Sequence, residues 1–106
     1  MKVIIFGANG GLGQWTWKAA IDAGHDVVAF VRTPEKLHQD DPRFSNLTVI
    51  SGDATDADAV QSASKGCEVA INCTSPAGGT ATLELAQAIV PHAAEAGVTR
   101  FYMVGG

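Results

Sequence analysis

Four glycines crowd the stretch Gly7-Ala8-Asn9-Gly10-Gly11-Leu12-Gly13, and three of them, Gly7, Gly10 and Gly13, recur three residues apart. Glycine reaches backbone conformations closed to other residues and loses the most entropy when it is ordered. Such a density implies that main chain must come close to something no side chain would tolerate. The run before it, Lys2 to Phe6 (KVIIF), is β-branched and apolar, and the residues after it carry a helical pattern. A strand, a glycine-rich turn and a helix in that order aim free N–H groups and the positive end of the helix dipole into the turn, which makes an anion site. Glycines there let the backbone approach a diphosphate and let the helix pack closely on the strand. The favoured chemistry is dinucleotide binding through Gly7, Asn9, Gly10, Gly11, Leu12 and Gly13, with a tight structural turn as the alternative. The spacing is G-x-x-G-x-x-G rather than the G-x-G-x-x-G of many dehydrogenases.

If a dinucleotide binds, the end of the second strand reads its adenosine ribose. NAD sites commonly place Asp or Glu there to accept from the 2′-hydroxyl, and NADP sites place Arg against the 2′-phosphate. Here the strand ends in Arg32 and Thr33, with Lys36 a turn later and the nearest carboxylate, Glu35, three residues beyond Arg32. Arg32 offers a planar fork, Thr33 a hydroxyl and Lys36 a point charge, so NADP(H) is expected over NAD(H). A solvated basic pair closing a strand is the alternative.

The elements that must position these residues alternate regularly. After KVIIF, a helix is expected from Gly11 to Ala23, with Leu12, Thr16, Ala19, Ala20 and Ala23 at helical spacing and Gly24 as its stop. Asp26 to Arg32 reads as a second strand, the polar stretch after it as a loop with one helical turn after Pro34, and Leu47 to Ser51 as a third strand. Thr55 and Asp58 fit a capping box for a helix reaching about Lys65 and stopping at Gly66. Cys67 to Cys73 reads as a fourth strand. A helix from about Thr80 to Ala96 is expected to kink or split at Pro91, which frees the carbonyl of Gln87. Thr99 to Val104 closes the series as a fifth strand. Continuously apolar strands alternating with helices predict an α/β fold, a Rossmann-type doubly wound parallel sheet in the order 3-2-1-4-5.

The 106 residues suffice for one domain, and 46% apolar with 17% charged residues is a globular composition. A net charge of −4 and the lack of any basic run argue against a nucleic-acid partner. No apolar run approaches the roughly 18 residues of a membrane helix, and a strand starting at residue 2 leaves no room for a signal peptide. Cys67 and Cys73, at the two ends of one strand, would lie about 20 Å apart, too far for a disulfide. They read as buried thiols in a reducing cytoplasm.

The stretches MKVIIFGANGGLG, GHDVVAFVRTPEKL, VISGDATD and AGVTRFYMVGG fall in an order and at distances that resemble the NmrA-like branch of the atypical, extended short-chain dehydrogenase/reductases. That branch is similar to flavin and biliverdin reductases. The resemblance spans nearly the whole chain. It implies NADP binding at the VRTPEK stretch, and contact of Asp53 and the Ala54 amide with the adenine edge. Asp53 could equally cap the following turn. Cys73, Thr74 and Ser75, at the carboxyl end of the sheet beside the switch point, could line the nicotinamide-side ribose or form an ordinary polar loop. The resemblance also implies that the chain stops where family members continue into further strands and the substrate loops, making it one NAD(P)-binding domain, residues 1–106, shorter than the family's.

The Tyr-x-x-x-Lys pair of short-chain reductases is missing: the single tyrosine, Tyr102, is followed four residues later by Gly106. His25, His38 and His92 read as surface residues. Two functions remain open. One is the NADP(H)-binding part of an oxidoreductase, with a flavin as a candidate substrate, since ring stacking and the cofactors carry that chemistry. The other is an NADP-sensing module without turnover, or a fragment whose substrate half lies elsewhere. Trp15 and Trp17, two apart on the first helix, cannot both face the sheet. The fifth strand is expected at a sheet edge, where Phe101, Tyr102, Met103 and Val104 favour self-association.

Overall fold

The computed structural model of the chain describes residues 1–53, 56–73 and 91–103. Five strands pair in parallel: β1 (Lys2–Phe6), β2 (Asp26–Val31), β3 (Leu47–Ser51), β4 (Val69–Asn72) and β5 (Arg100–Met103), in the spatial order β3-β2-β1-β4-β5. This is the expected doubly wound sheet. Helix α1 (Gly11–Asp22) connects β1 to β2, and helix α2 (Ala57–Ser64) connects β3 to β4. Residues 91–95 are helical ahead of β5. The expected helix before Pro91, and with it the kink, lies outside the described residues.

Alternation along β1 sends successive side chains to opposite faces of the sheet. Val3 and Ile5 join Ala8, Trp17, Val27, Ala29, Val31, Leu37 and Val69 on one face. Ile4 and Phe6 join Val28, Phe30, Val60, Ala63, Cys67, Ala70, Ala93 and Val98 on the other. Burial on both faces is why these strands read as unbroken apolar runs. Phe6 and Phe30 pack with ring centroids 5.3 Å apart under one cover, and Trp17 meets the edge of Phe44 at 6.3 Å under the other.

Three local expectations need correction. The buried face of α1 is Gly13, Gln14 and Trp17, with Ala20 and Ile21 packed beside them. Leu12, Ala19 and Ala23 are exposed, so the helix is rotated relative to its alanine stripe, with the indole of Trp17 turned into the sheet. The N-cap of α2 is Asp56, whose Oδ1 accepts from the Asp58 and Ala59 amides. The capping role assigned to Thr55 thus falls to a carboxylate one residue nearer the helix, and Thr55 lies outside the described residues. β4 is shorter than Cys67–Cys73, leaving the two free cysteines just outside it. Cys67 is buried, while Cys73 is only half-buried.

Trp15 and Trp17 divide as their spacing requires: Trp17 is fully buried and Trp15 is 71% exposed. Gly24 and Gly66 end α1 and α2 with φ of 87° and 84°, in the left-handed region that glycine tolerates.

The long connection from β2 to β3 is held against α1 at its far end. Arg43 donates from Nε and Nη2 to the Asp41 carboxylate at 3.0 and 2.9 Å, and from Nη1 to Asp22 at 2.7 Å. The forked bond to Arg43, with the Arg43 amide added, holds the Asp41 carboxyl well below the usual carboxylate range. A carboxyl depressed on folding stabilises above its unfolded value, near 3.9, and that contribution drains away as pH falls toward the folded value. Asp41→Asn is therefore expected to lower stability by a constant amount from neutral pH down to about pH 5, with the gap closing below about pH 4. Urea unfolding of both proteins across that range checks it, and a gap independent of pH would show the clamp to be electrostatically inert.

Candidate functional site

Parallel strands end on the same side of the sheet, so the segments after β1, β2, β3 and β4 meet along one edge. The ladder runs one step past three of these strands, β1, β3 and β4: Gly7 N donates to Phe30 O at 3.2 Å, Gly52 N to Val31 O at 3.0 Å and Cys73 N to Phe6 O at 2.8 Å. This brings the glycine loop, the Arg32–Lys36 segment, Gly52-Asp53 and Cys73 to one edge of the sheet. β1 and β4 are neighbours there, and the strand order reverses. Ligands of open α/β sheets bind at that switch point.

The glycines of the loop serve different ends. Gly7 has φ of 74°, a conformation that costs a side-chain-bearing residue about 1–2 kcal/mol. A Cβ at Gly13 would overlap Gly7 O and lie 2.7 Å from Ala8 Cα, so this glycine lets α1 press on the end of β1. Gly10 and Gly11 have no such reason among the described residues. A Cβ at Gly10 would meet only Gly7 O at an ordinary 3.8 Å, and one at Gly11 would meet nothing within 4 Å. Both face open space at the start of α1, where Gly10 is the N-cap and supplies no side-chain oxygen to the first-turn N–H groups. Uncapped donors in front of a cradle that side chains would fill fit a diphosphate.

Beyond β2, Arg32 and Lys36 are exposed and Thr33 is half-buried. Among the described residues neither Arg32 nor Lys36 enters an ion pair. The 3₁₀ turn Pro34–Lys36 closes with the Lys36 amide on Thr33 O at 3.1 Å, and buried Leu37 pins it to the core. After β3, Asp53 is exposed and its carbonyl accepts from the Asp56 amide at 3.0 Å. After β4, Cys73 Sγ lies 3.8 Å from Thr16 Oγ1 on α1. Burial pushes the Cys73 thiol up, with the Thr16 contact partly offsetting it, so it is a protonated thiol at neutral pH rather than a thiolate nucleophile. Ala54, Thr74 and Ser75 lie outside the described residues.

Two residues at this edge escaped the sequence reading. Gly52 is fixed by Phe30, whose Cζ would lie 2.8 Å from a Cβ there; the signal was the small residue before Asp53. Gln14 is 4% exposed. Its Oε1 accepts from Trp17 Nε1 and from the His38 amide, both at 3.0 Å. Its Nε2 donates to Lys36 O at 2.6 Å and to Asn9 O at 3.4 Å. Nothing in the sequence marks a polar residue on a helix as buried.

No group of His, Cys, Asp or Glu with metal-site geometry occurs among the described residues. Lys18, His38 and Asp41 cluster beyond the Thr33–Leu37 segment, but they satisfy one another, with Lys18 Nζ 2.7 Å from His38 Nδ1 and 3.6 Å from Asp41.

A doubly wound parallel sheet, a glycine loop at its switch point and free cations after the second strand define a Rossmann-type NAD(P)-binding domain. The chain belongs to the NAD(P)H-binding family, whose model matches residues 7–106. It is 34% identical over 73 residues, 69% of its length, to an uncharacterized protein of Mycobacterium tuberculosis, of which it covers 8%. Among solved structures it is similar to a candidate epimerase of Bacteroides thetaiotaomicron, at 32% identity with a TM-score of 0.83, over 99% of this chain and 47% of that one. It is also similar to ChuY, an anaerobillin reductase of Escherichia coli O157:H7, at 25% identity with a TM-score of 0.78, over 97% of this chain and 50% of that one. The chain thus spans about half the length of these solved relatives.

The two kinds of glycine separate by mutation. Gly13→Ala forces α1 off β1 and is expected to cost about 2 kcal/mol or more of stability. Gly10→Val is expected to leave the fold intact while weakening NADPH at least tenfold, about 1.4 kcal/mol. Thermal unfolding and calorimetry read the two effects independently, and unaltered NADPH binding by Gly10→Val would remove the loop from the site.

Proposed function

We propose that the chain is the NADP(H)-binding part of a cytoplasmic oxidoreductase of the NmrA-like or flavin-reductase-like type. One observation carries the choice of NADP(H) over NAD(H): the segment after β2 presents two exposed cations, Arg32 and Lys36, without ion-pair partners among the described residues, and no carboxylate directly at the strand end. In this reading the main chain of Gly10 and Gly11 receives the diphosphate, and Arg32, Thr33 and Lys36 receive the 2′-phosphate. Asp53 and Ala54 border the adenine, and Cys73, Thr74 and Ser75 border the nicotinamide ribose. Bound NADPH supplies a hydride, and the chain's own part is to hold and orient that cofactor at the sheet edge. Substrate recognition falls to chain beyond these 106 residues, in keeping with the half-length match to the solved relatives.

NADPH is expected to bind more tightly than NADH, with a margin that shrinks in salt because the cations are exposed. Arg32→Ala should erase most of that margin and leave NADH binding unchanged. Calorimetry at two salt concentrations checks both, and a wild type that prefers NADH would overturn the reading.

A second reading, an NADP-occupancy sensor without turnover, is favoured by one feature: Tyr102 stands exposed on β5 and has no lysine four residues on. NADPH oxidation with free flavin or a quinone as acceptor separates the two, since turnover excludes the sensor.

Self-association through β5 belongs to the same proposal. β5 pairs with β4 alone among the described strands, and Tyr102 is 54% exposed. A protein ending at Gly106 is expected to dimerise or aggregate in size-exclusion chromatography with light scattering. A monodisperse monomer at high concentration would refute this.

A further inference from the structure

We propose that Gln14 is a positioning residue that sets cofactor selectivity by tying the segment that reads the 2′ position to the loop that holds the diphosphate. The inference rests on the NADP(H) reading above and extends it to a residue that touches neither phosphate in that reading.

The geometry isolates Gln14 from ordinary surface glutamines. Its carboxamide is buried and saturated: the oxygen takes two N–H donors, and the nitrogen gives to two carbonyls. Only one orientation of the amide satisfies all four, because a flip would set oxygen against Lys36 O and Asn9 O and nitrogen against two N–H groups. The four partners lie on three separate pieces of chain. Trp17 is on α1 itself, Asn9 is in the glycine loop, and Lys36 and His38 flank buried Leu37 in the connection after β2.

The shortest of these bonds, 2.6 Å, is made to the main chain of Lys36, the residue whose ammonium is free for the 2′-phosphate. The second bond to that connection, from the His38 amide at 3.0 Å, lies two residues on. Gln14 therefore fixes where the Lys36 main chain stands relative to the start of α1. The diphosphate and the 2′-phosphate of NADPH are joined through one ribose, so their span is limited and both must be met at once. A side chain that sets the spacing of their two receiving segments acts on NADPH and is silent toward NADH, which lacks the second anchor.

A merely structural role would lower stability and weaken both dinucleotides alike. Gln14→Met removes all four bonds at similar volume, and Gln14→Asn keeps a carboxamide but withdraws it by one methylene. With either variant, the ratio of NADH to NADPH dissociation constants is expected to fall roughly fivefold or more, while the NADH value moves less than about twofold. In the protein without cofactor, hydrogen exchange at the His38 amide is expected to quicken by about tenfold or more. Trp17→Phe, which removes one bond to Gln14 on α1 and none to the connection, should lower stability and leave the ratio in place. If Gln14→Met does not fold, Gln14→Asn and the His38 exchange rate carry the test. An unchanged ratio in a folded variant overturns the proposal, and so does equal weakening of NADPH and NADH. A wild type without preference for NADPH overturns the NADP(H) reading. The selectivity role falls with it, and faster His38 exchange would then mark Gln14 as a tether alone.

Discussion

No side chain can stand at residue 13. Even a methyl group there would overlap Gly7 O and press on Ala8, so the start of α1 and the end of β1 meet backbone to backbone. That contact decides much else. It brings the first turn of the helix over the carboxyl edge of the sheet, and with Gly7 in the left-handed region it turns the chain sharply enough to do so. It also fixes the rotation of α1, which sends Trp17 into the core and leaves Leu12 and Trp15 outside. The cradle at Gly10 and Gly11 is a consequence of this packing, because the helix dipole and the uncapped amides point into the turn only while the helix stays down on the strand.

The same rotation puts Gln14 under the helix, facing the connection that follows β2. Of the free cations of that connection, Lys36 is mounted on a short 3₁₀ turn and Arg32 stands just before it, with Leu37 in the core below and Gln14 beside the turn. At the far end, Arg43 bridges Asp41 and Asp22 and returns the connection to the last turn of α1. One helix thus orders a stretch that has little regular structure of its own. Leaving a buried donor or acceptor of this network unpaired costs about 1–3 kcal/mol each, which is why a polar residue on the buried face is tolerable only when all its bonds are made.

How far the sequence revealed this depended on whether the signal was local. β1 to β5 were legible because short, largely apolar runs bounded by glycine and polar turns admit little else, and the strand order followed from the handedness of crossovers. The glycine loop was legible from its strand-turn-helix setting. The division of labour within it was not, because spacing cannot tell Gly13, required by packing, from Gly10, which is not. Gln14 and the exposed face of α1 were hidden for one reason: alanines marked a plausible stripe, and nothing local marked Gln14, whose four partners, from Asn9 to His38, are brought together only by the fold. The N-cap of α2 moved from Thr55 to Asp56 because two adjacent capping residues differ only in register, which local spacing leaves open.

The central claim is that the glycine loop and the connection after β2 form one dinucleotide site. Amide chemical shifts of the isotope-labelled protein, followed through a titration with NADP⁺ and then with NAD⁺, test it most directly. The account predicts that NADP⁺ shifts the amides of Gly10, Gly11 and Gly13 together with those of Arg32, Thr33 and Lys36, along a single saturation curve. It predicts that NAD⁺ moves the first group and leaves the second nearly in place. Shifts confined to one segment with NADP⁺, or identical patterns with the two dinucleotides, would contradict it.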